Sequence, residues 1–553
     1  MSDIKTATID ASELPAGTMK MVEVGEGKVL VSNVKGEILK SGVALSLTLK
    51  YGAPLAKGVL TEEGRIICPW HGACFNVCTG DIEDSPGLDS LYKYKAEQKD
   101  GKIIISAPES ELKSKVGRVI PKARKPVSTT ENETVVIIGG GGGGIHAIES
   151  LREHNYAGKI VLISREDVTP YDRPKVSKAL IDDAKKIEWR SPEVLKGDFG
   201  VDLKLSTEVT GVDTQTQTVS TKTGDKIKYD KLILAPGAFP KRLPIEGKDL
   251  PGVITIRTPD DMKPVVQALG PEAEIVIIGT SFIGMEAAGA IIAKQPKSLN
   301  VVGVDEVPFE AVLNKELGKA IVADMAGKGV KFHLGANVEK ITKNGNKLQL
   351  HAEGIEPLPA DIIIMGTGVG PATGFLKDSG FQLEKDGGVT VDDKLRVKGH
   401  QNVFAIGDIA HYPQHPEGNV RRVEHWNVAG NHGRTVAATI AGKETAFELV
   451  PIFWSSVGKG LRYVSTGVPH DDEYLDGDSA ALKFVLYQAK GGKVQTVASM
   501  GRDPYVSKAS DLIQKGRMPS LDEIKKGKSI LEIEAPPTFS LFTVTFEQRQ
   551  QSA

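Results

Sequence analysis

Hydrophobic and polar residues alternate in short runs along the first hundred positions of the chain. The segments KVLVSNV (28–34) and KIIISAP (102–108) are examples, and glycine and aspartate separate such runs. Alternation with period two, bounded by turn residues, predicts β-strands. We therefore predict a small all-β module over residues 1–107.

The hydrophobic alternation ends at the next segment, residues 108–132, which has six lysines and arginines between 113 and 125. This composition predicts a solvated linker, and a basic docking patch is the alternative.

From residue 133 onward the pattern changes to buried apolar runs, each followed by a glycine loop and a helical period. TVVIIGG and AIESLREHNYAGKIVLISRED predict a strand, a helix and a second strand. The same unit returns about 140 residues later at AEIVIIGTSFIGMEAAGAIIAK. Continuous apolar strands that alternate with helices are typical of parallel α/β sheets. After residue 442, strand-like runs come first and helices follow, which predicts an α+β domain.

The predicted fold class is a multidomain chain with an all-β module, an α/β core of Rossmann type and an α+β C-terminal domain. Its 553 residues are too many for one hydrophobic core, which agrees with several domains. The predicted boundaries are 1–107 for the module, 108–132 for the linker, 133–262 and 397–442 for the two parts of the first Rossmann-type domain, 263–396 for the second, and 443–553 for the C-terminal domain.

Composition and charge narrow the class of protein. The formal net charge is -2, so we expect no nucleic-acid partner. The chain has three cysteines, Cys68, Cys74 and Cys78, which are too few for a disulfide framework and fit a reducing compartment. The first residues lack the features of a signal or transit peptide, and no apolar run approaches the ~18 residues of a membrane helix. We expect a cytoplasmic protein with no transmembrane segment, and mitochondrial association is left open.

The first glycine loop, IIGGGGGGIHA, has the G-x-G-x-x-G spacing at Gly139, Gly141 and Gly144. Glycine is needed there because the turn is tight, the backbone approaches a pyrophosphate and the helix packs close to the strand. The helix that follows offers unpaired N–H groups and a positive dipole end to the phosphates. An acidic residue, Glu166, stands about 20 residues later, as in dinucleotide-binding fingerprints. The loop therefore predicts a dinucleotide site, although six glycines are more than the motif needs.

The second glycine loop has Gly279 and Gly284 at the outer positions and Ser281 in place of the middle glycine. Serine is small enough to let a phosphate approach. Two such units predict two dinucleotides that meet so that a hydride can pass between them; the alternative is a duplicated unit with one inactive site. The segment VFAIGDIA sets Gly407 and Asp408 at the end of a buried strand, where a carboxylate can hold a ribityl hydroxyl. This favours a flavin as one of the two.

Several longer motifs carry a resemblance to a known family. They are PYDRPKVSKAL (170–180), GTSFIGMEAAGA (279–290), GDIAHYP, VEHWNVAGNHGR (423–434) and PIFWSS, with YGAPLAKG and CPWHGACFN nearer the N-terminus. The chain resembles the ferredoxin reductase and apoptosis-inducing factor group of two-dinucleotide-binding flavoproteins. More closely, it is similar to the apoptosis-inducing factor 3-like branch, in which a Rieske module is fused ahead of the reductase.

The resemblance implies FAD as the bound cofactor and NAD(P)H as the substrate. It places Glu166 and Arg173 near the adenosine half of FAD, and Asp408 at the ribityl chain. It also pairs Lys178 with Glu286 beside the isoalloxazine, as the catalytic pair of the site. Such a pair can orient the nicotinamide and stabilise negative charge on the reduced flavin without moving a proton. The alternative for Lys178 is a surface lysine with a solvated partner.

His425 and Trp454 are implied to line the far side of the flavin, with a structural role as the alternative for His425. For the nicotinamide dinucleotide, the strand VVGVDE carries Gly303 where an acid meets the ribose in NAD enzymes. Asp305, or as an alternative Glu306, follows shortly after it. No arginine follows closely to bind a 2′-phosphate, so NADH is favoured over NADPH. The turn APGA (235–238) stands where the family has ATGA, and we expect the turn to be kept.

The Rieske half raises the question of a metal. A Rieske centre uses two cysteines and two histidines, and the resemblance implies ligand pairs C-x-H and C-x-x-H. Cys68 and His71 fit the second pair, but Thr48 and Lys50 stand where the first pair belongs. An ammonium has no lone pair to offer a metal, and threonine is a poor iron ligand. We therefore expect a Rieske-like fold in which the metal site is incomplete and no [2Fe-2S] cluster is bound.

Two alternatives for that site stay open. Cys74 or Cys78 could enter a rebuilt ligand set, or the residues around 38 to 50 could come from a misread gene model. Both concern the same question, which is whether four suitable side chains meet at one place in the module.

The leading hypothesis for function is an FAD-dependent oxidoreductase that takes a hydride from NAD(P)H. It passes electrons to an external one-electron acceptor, which is a small redox protein, a quinone or oxygen. One alternative is an NADH-responsive interaction protein of apoptosis-inducing factor type. Another is the ferredoxin reductase component of an oxygenase system. A homodimer is left open.

Overall fold

The computed structural model describes residues 3–34, 42–46, 55–114, 117–119 and 132–533. Thr48 and Lys50, the two residues at the upstream ligand positions, lie outside these ranges. The described residues form an N-terminal all-β module, an α/β core with two parallel sheets and a C-terminal α+β domain. The predicted multidomain fold class is confirmed, while the domain boundaries stay predictions.

The N-terminal module contains two antiparallel sheets. Its elements are β1 (Ile4–Asp10), β2 (Met19–Val24), β3 (Gly27–Ser32), β4 (Gly42–Ser46), β5 (Val59–Leu60), β6 (Arg65–Ile67), β7 (Cys74–Asn76), β8 (Ile82–Asp84), β9 (Lys93–Lys99), β10 (Lys102–Pro108) and α1 (Glu109–Leu112). One sheet has the order β1-β10-β9-β4-β3-β2 and the other β5-β6-β7-β8. In β10, Ile103, Ile105 and Ala107 are buried and their neighbours are not, as the alternation predicts. The turn between β6 and β7 carries Cys68 and His71.

The α/β core begins with the first predicted strand–loop–helix unit. Its elements are β11 (Thr134–Ile138), α2 (Gly142–Glu153), β12 (Lys159–Ile163), α3 (Lys175–Ala179), α4 (Pro192–Gly197), β13 (Val201–Lys204), β14 (Val209–Asp213), β15 (Thr218–Thr221), β16 (Lys226–Lys228), β17 (Lys231–Leu234) and β18 (Ala238–Pro240). Val135, Val136 and Ile137 of β11 are fully buried. A strand covered on both faces reads as a continuous apolar run, which is the pattern seen here. β14, β15 and β16 form a separate antiparallel meander.

The repeat of that unit forms a second parallel sheet. Its elements are β19 (Val253–Thr255), α5 (Pro259–Ala268), β20 (Glu274–Ile278), α6 (Phe282–Ile292), β21 (Ser298–Gly303), α7 (Lys315–Ala326), β22 (Val330–Leu334), β23 (Val338–Asn344), β24 (Lys347–Ala352), β25 (Leu358–Ala360), β26 (Ile362–Met365) and β27 (Val369–Pro371). The order is β19-β26-β20-β21-β22. β19 belongs to this sheet because it pairs with β26, although it precedes the predicted boundary at residue 262.

The chain then returns to the first sheet. The elements of this part are β28 (Val389–Thr390), β29 (Val403–Ala405), β30 (Ala410–Gln414), β31 (Asn419–Arg421) and α8 (Trp426–Ile440). β29 pairs with β17 and completes the parallel order β13-β12-β11-β17-β29. α8 then packs along α2. The first and last segments of the core therefore form one domain together, and the segment between them forms the second sheet.

The C-terminal domain has one antiparallel sheet followed by helices, as predicted. Its elements are β32 (Ile452–Ser455), β33 (Leu461–Ser465), β34 (Asp472–Asp478), β35 (Lys483–Lys490), β36 (Lys493–Met500), α9 (Tyr505–Gln514) and α10 (Leu521–Lys525). The strand order is β32-β33-β36-β35-β34. α9 buries Val506, Ala509 and Leu512 against this sheet. β32 lies at the edge that faces the core and the module.

Candidate functional site

The first glycine loop joins β11 to α2 and excludes side chains at two of its predicted positions. A Cβ atom on Gly139, whose φ is +117°, would lie 1.9 Å from the carbonyl oxygen of Ala235. A Cβ on Gly144 would lie 2.2 Å from the carbonyl oxygen of Gly139. Gly141 is the N-cap of α2 and has open space beside it. The first N–H groups of α2 are therefore accessible to a phosphate group.

The surplus glycines of this loop serve a close contact between two helices. A Cβ on Gly142 would lie 3.1 Å from the Trp426 ring, and one on Gly143 would lie 2.9 Å from the side chain of Ile406. On α8, a Cβ on Gly433 would lie 2.4 Å from the carbonyl oxygen of Gly143. The six consecutive glycines are thus explained by α8 as well as by a nucleotide.

The second glycine loop, between β20 and α6, repeats the same geometry. Gly279 has φ +113°, and a Cβ on it would lie 2.4 Å from the carbonyl oxygen of Gly366. A Cβ on Gly284 would lie 2.3 Å from the carbonyl oxygen of Gly279. Ser281, at the position of the middle glycine, is the N-cap of α6 and is exposed. The middle position tolerates serine because nothing in the protein crowds it.

An acidic side chain stands beside the second loop. Asp305 accepts a hydrogen bond of 2.8 Å from the hydroxyl of Thr280, a residue of that loop. Gly303 ends β21, and a Cβ on it would lie 2.5 Å from the Thr280 side chain. Val304, between them, is 63% exposed. The strand end is therefore too crowded for an acid, and the carboxylate comes from the exposed turn two residues later.

One cavity of about 520 Å³ lies where the two halves of the core, the C-terminal domain and the module meet. The predicted site residues that line it are Gly141, Arg173, Lys178, Glu286, Gly407, Asp408, His425, Trp454 and, from the module, His71. The others, which lie outside its lining, are Gly139, Gly144, Glu166, Gly279, Ser281, Gly284, Asp305 and Cys68. Eight residues that the sequence predicted for the dinucleotide sites therefore line one cavity. His71 of the module, a candidate metal ligand, lines the same cavity.

The predicted catalytic pair forms an ion pair at the wall of this cavity. The Nζ of Lys178 lies 3.0 Å from Oε2 of Glu286, and the Glu286 side chain is 6% exposed. Two hydroxyls also donate to this carboxylate, Ser177 at 3.0 Å and Ser455 at 2.6 Å. A buried carboxylate with one ammonium and two hydroxyl donors is well compensated for the loss of water. The two serines were not predicted, although both stand inside the quoted motifs SKAL and FWSS.

The predicted ribityl-binding carboxylate has an arginine partner. Asp408 follows Gly407 and lies 3.0 Å from Nη2 of Arg257. Gly237, in the turn that replaces the family's ATGA, has φ +73°, and a Cβ on it would lie 2.8 Å from the Arg257 guanidinium. The turn is therefore kept with proline in it. Arg257 also lines the cavity, and it was missed because it is 151 residues from Asp408 in sequence.

The two residues assigned to the adenosine half of FAD contact each other. Arg173 lines the cavity, and its Nη2 lies 2.8 Å from Oε1 of Glu166. The guanidinium also lies 4.5 Å above the centroid of the Tyr171 ring and donates to the carbonyl oxygen of Arg257 at 3.1 Å. These contacts fix the guanidinium in one orientation at the cavity wall.

The far wall of the cavity is aromatic. Nδ1 of His425 accepts a hydrogen bond of 3.3 Å from the backbone N–H of Asn427 and caps α8, while its ring lies 4.6 Å from the Phe453 ring. Burial, aided by the positive charge of Lys178, lowers the pKa of His425 to about 3, so the ring is neutral at physiological pH. Trp454, next to Phe453 on β32, faces the module.

The β6–β7 turn of the module reaches this aromatic wall. Cys68 is buried, and its sulfur accepts hydrogen bonds from the backbone N–H groups of Trp70 and His71. Burial raises the pKa of the Cys68 thiol. The ring of Trp70 stacks on Trp454 with centroids 6.0 Å apart, and the His71 ring meets Trp454 edge-on at 5.4 Å.

The described residues of the module do not fit a [2Fe-2S] cluster. Cys74 stands on β7, and its thiol is hydrogen-bonded to Asp84, whereas the backbone N–H of Cys68 donates to Ala73 in the turn. Within the ranges that the structure describes, no group of three or more histidines, cysteines or acids could hold a metal ion. A Rieske centre needs four such ligands.

The module also docks on the core through buried polar contacts that the sequence did not predict. Arg190 reaches Asp89 of the module at 2.6 Å and Glu149 of α2 at 2.7 Å. Arg434 of α8 donates to the carbonyl oxygens of Ile82 and Glu83, each at 2.9 Å. Removal of Arg190 would leave the largely buried carboxylates of Asp89 and Glu149 without their shared cation, so this side chain is a main link between the module and the core.

Known proteins share this organisation. Residues 133–433 match the pyridine nucleotide-disulphide oxidoreductase family, and residues 5–95 match the Rieske [2Fe-2S] domain. The chain belongs to the pyridine nucleotide-disulphide oxidoreductase family. All three cysteines precede residue 133, so this family member carries no disulphide in the matched region.

Two relatives and one solved structure show how far the family likeness extends. Apoptosis-inducing factor 3 of Homo sapiens is 37% identical over 519 residues, which are 93% of this chain and 84% of the relative. Rubredoxin-NAD(+) reductase of Pseudomonas putida is 33% identical over 352 residues, which are 62% of this chain and 90% of the relative. A ferredoxin reductase structure from Rhodopseudomonas palustris has a TM-score of 0.67 at 27% identity, covering 71% of this chain and 97% of the other.

This member of the family is an FAD-dependent oxidoreductase that uses NAD(P)H and passes electrons on, as predicted. The first glycine loop and the cavity fit FAD, because the loop excludes side chains at Gly139 and Gly144 and the cavity offers Arg173, Asp408 and Arg257 as polar groups. FAD supplies hydride acceptance and onward electron transfer. Among the described residues, helices are too short or too polar to cross a membrane.

Proposed function

We propose that Lys178 and Glu286 form the hydride-transfer centre of this oxidoreductase, with FAD at the first glycine loop and NADH at the second. The ion pair itself supports this assignment. Lys178 stands on α3, in the domain of the first loop, and Glu286 stands on α6, the helix that begins at the second loop. The pair therefore joins the two dinucleotide-binding halves at the wall of their shared cavity.

The chain's own residues orient the reactants and set the electrostatics. Glu286, held by two serines, fixes the position of the Lys178 ammonium. A fixed positive charge stabilises negative charge that develops nearby during reduction, and it does so without reorganisation. Arg173 and Asp408, each tied to a partner, would hold the adenosine and ribityl parts of FAD.

NADH is the proposed hydride donor because of the carboxylate beside the second loop. Asp305 is oriented by Thr280 and can accept hydrogen bonds from ribose hydroxyls. The same negative charge disfavours the 2′-phosphate of NADPH.

Anaerobic mixing with NADH or NADPH, followed by the loss of flavin absorbance, tests these assignments. We expect Lys178→Met to keep FAD and to slow flavin reduction by on the order of 100-fold. Lys186→Met is the matched control, since Lys186 is exposed and pairs with Asp182 at the surface. An unchanged rate in Lys178→Met would refute the proposed centre, and faster reduction by NADPH than by NADH would refute the role of Asp305.

The electron acceptor is proposed to lie outside the chain, because the module offers Cys68 and His71 but has Thr48 and Lys50 at the other ligand positions. The names of the relatives point to rubredoxin or a ferredoxin, and quinones and oxygen are the small-molecule candidates. Iron and acid-labile sulfide assays test the absence of the cluster. The cytoplasmic location stays a prediction, and a homodimer stays open.

A further inference from the structure

We propose that strand β32 couples the docked module to the proposed catalytic pair, Lys178 and Glu286. The β6–β7 turn of the module fixes one face of this strand, and Ser455 on the other face holds Glu286 in position. This inference rests on the proposed function, because it takes the ion pair as the hydride-transfer centre. It makes Ser455 a positioning residue and gives the Rieske-like module a role that needs no metal.

One face of β32 contacts the module turn. Successive side chains of a strand point to opposite faces, so Ile452 and Trp454 share a face. The Trp70 ring of the turn stacks on Trp454 with centroids 6.0 Å apart, and a Cβ on Gly72 would lie 2.4 Å from the Ile452 side chain. The contact at Gly72 leaves no space for a methyl group, so the turn limits where the strand can lie.

The opposite face of β32 contacts the core. The Phe453 ring lies 4.6 Å from the ring of His425. Ser455 is fully buried, and its hydroxyl donates to Oε1 of Glu286 at 2.6 Å. A displacement of the strand that begins on the module face therefore reaches Glu286 through this hydrogen bond.

The two oxygens of the Glu286 carboxylate are held from different parts of the chain. Oε2 accepts hydrogen bonds from Ser177 and Lys178, which both stand on α3. Oε1 accepts its hydrogen bond from Ser455 of the C-terminal domain. Without that hydroxyl the carboxylate can turn about its last side-chain torsion, because torsions of this kind have broad minima. The Lys178 ammonium would then move with the carboxylate, so Ser455 restricts the orientation of the ion pair.

The module turn is anchored by two helices. The Asn427 amide of α8 donates to the carbonyl oxygen of His71 at 3.1 Å, and the Ser507 hydroxyl of α9 donates to that of Cys68 at 3.1 Å. β32 is the first strand in its sheet order, so only one of its edges is paired within the described sheet. An edge strand leaves a row of backbone groups unpaired. Its position therefore depends more on side-chain contacts, such as those with the anchored turn.

Gly72→Ala and Gly101→Ala form a matched pair that tests the module face of β32. The two glycines have φ values of +74° and +73°, so alanine carries a similar backbone cost at each. The added Cβ meets Ile452 in the first variant and nothing within 4 Å in the second. Ile452 is β-branched and buried, so its side chain cannot easily turn away from the new methyl group. We therefore expect Gly72→Ala, and not Gly101→Ala, to displace β32.

Hydrogen–deuterium exchange of the full-length protein without NADH is the first measurement. In Gly72→Ala the backbone N–H groups of residues 452–455 should exchange at least ~3-fold faster than in the wild type, because a displaced strand opens more often. Gly101→Ala should match the wild type. Equal exchange in Gly72→Ala and the wild type would overturn the proposal. This result does not depend on which residues carry the hydride transfer.

The limiting rate of flavin reduction in anaerobic rapid mixing with NADH is the second measurement. Ser455→Ala and Gly72→Ala should each lower this rate on the order of 10-fold, because a small misplacement of a catalytic group has effects of this size or larger. The NADH concentration at half the limiting rate should stay unchanged, since the binding of NADH is not altered. Ser455→Thr keeps the hydroxyl and should retain most of the rate. A wild-type rate in Ser455→Ala would overturn the proposal.

The double variant Gly72→Ala/Ser455→Ala tests the route between the two residues. If the module acts through Ser455, the double variant should reduce its flavin within about 2-fold of the rate of Ser455→Ala alone. Two independent effects would multiply to about 100-fold. That product would overturn the proposal, because the module would then act by another route.

Ser507→Ala takes the place of Gly72→Ala if Gly72→Ala does not fold or loses its flavin. It removes the hydroxyl that anchors the turn, and it should change the exchange of β32 and the reduction rate in the same directions by a smaller factor. Wild-type values of both would overturn the proposal. A wild-type rate in Lys178→Met would instead count against the hydride centre, and the exchange of β32 would still decide whether the turn holds the strand.

Discussion

Two loops from different regions of the molecule face one cavity: the first glycine loop of the reductase core and the β6–β7 turn of the module. The core loop has the close backbone approaches at Gly139 and Gly144 that a dinucleotide-binding loop requires. The module turn keeps its contacts with Ser507, Asn427 and Trp454, but its partner ligands are missing from the sequence. Cys68 and His71 dock through their backbone carbonyl oxygens and the His71 ring, so the docking does not depend on the two other ligand positions.

The largest effect is expected from breaking the contact between the two regions. Arg190→Met leaves Asp89 and Glu149 without their shared cation, so the free energy of unfolding should fall by about 3–5 kcal/mol. Denaturant unfolding followed by circular dichroism measures this, and we expect the module and the core to unfold in separate transitions. Lys186→Met, which removes the exposed ion pair with Asp182, should change the free energy of unfolding by less than about 1 kcal/mol. A similar small change in Arg190→Met would show that the docking is weak.

The next effect concerns Lys178 and Glu286, the proposed catalytic pair within the core. Glu286→Gln leaves the Lys178 ammonium without its carboxylate, and flavin reduction by NADH should slow by on the order of 100-fold. Rapid mixing measures the rate, with Glu272→Gln on the surface before β20 as the control. If Glu286→Gln reduces its flavin as fast as the wild type, the ion pair has no part in hydride transfer.

The two glycine loops should respond differently to the same change. Gly144→Ala overpacks the first loop by about 1–3 kcal/mol, which should weaken FAD binding roughly 10- to 100-fold. Gly284→Ala should keep FAD and weaken NADH by a similar factor. The flavin content of the purified protein and titrations with NADH distinguish the two variants. Gly197→Ala is the control, because a Cβ at Gly197 would meet nothing within 4 Å. Loss of FAD in Gly284→Ala would contradict the assignment of the loops.

The smallest effect is a pH dependence at the docking interface. Burial, with the nearby carboxylates Glu153 and Asp89, raises the pKa of Glu149 from 4.5 to about 7, and Arg190 opposes the shift. The folded state therefore binds more protons than the unfolded state between these values, and the free energy of unfolding decreases as pH rises through that window. The decrease should not exceed about 1.4 kcal/mol per pH unit, which is the slope for a difference of one bound proton. Glu149→Gln should flatten this slope; an unchanged slope would assign it to other groups.

Local patterns were enough to predict the parts of the site that lie within one motif. The glycine loops were visible from spacing, and the pairing of Lys178 with Glu286 came from the family resemblance. The reason is that a strand, a tight turn and a helix N-terminus are built from consecutive residues. Ser177 was missed although it adjoins Lys178, because its hydroxyl matters only through a carboxylate 109 residues away.

Contacts between distant segments could not be predicted. Nothing in the sequence indicates that Arg190 bridges Asp89 and Glu149, which are 101 and 41 residues away. The surplus glycines were noticed, but their reason is α8, almost 300 residues further along the chain. His71 was named as one candidate ligand of an incomplete metal site, and the structure places its ring at the shared cavity against Trp454.

Our main proposal is that a flavoprotein reductase core stands beside a module that holds no iron–sulfur cluster. Absorbance spectra, with iron and acid-labile sulfide assays on anaerobically purified full-length protein, are the decisive test. We expect the absorbance of oxidised flavin alone and an iron content far below one per chain. About two irons per chain, with extra visible absorbance and a paramagnetic signal after reduction, would contradict it.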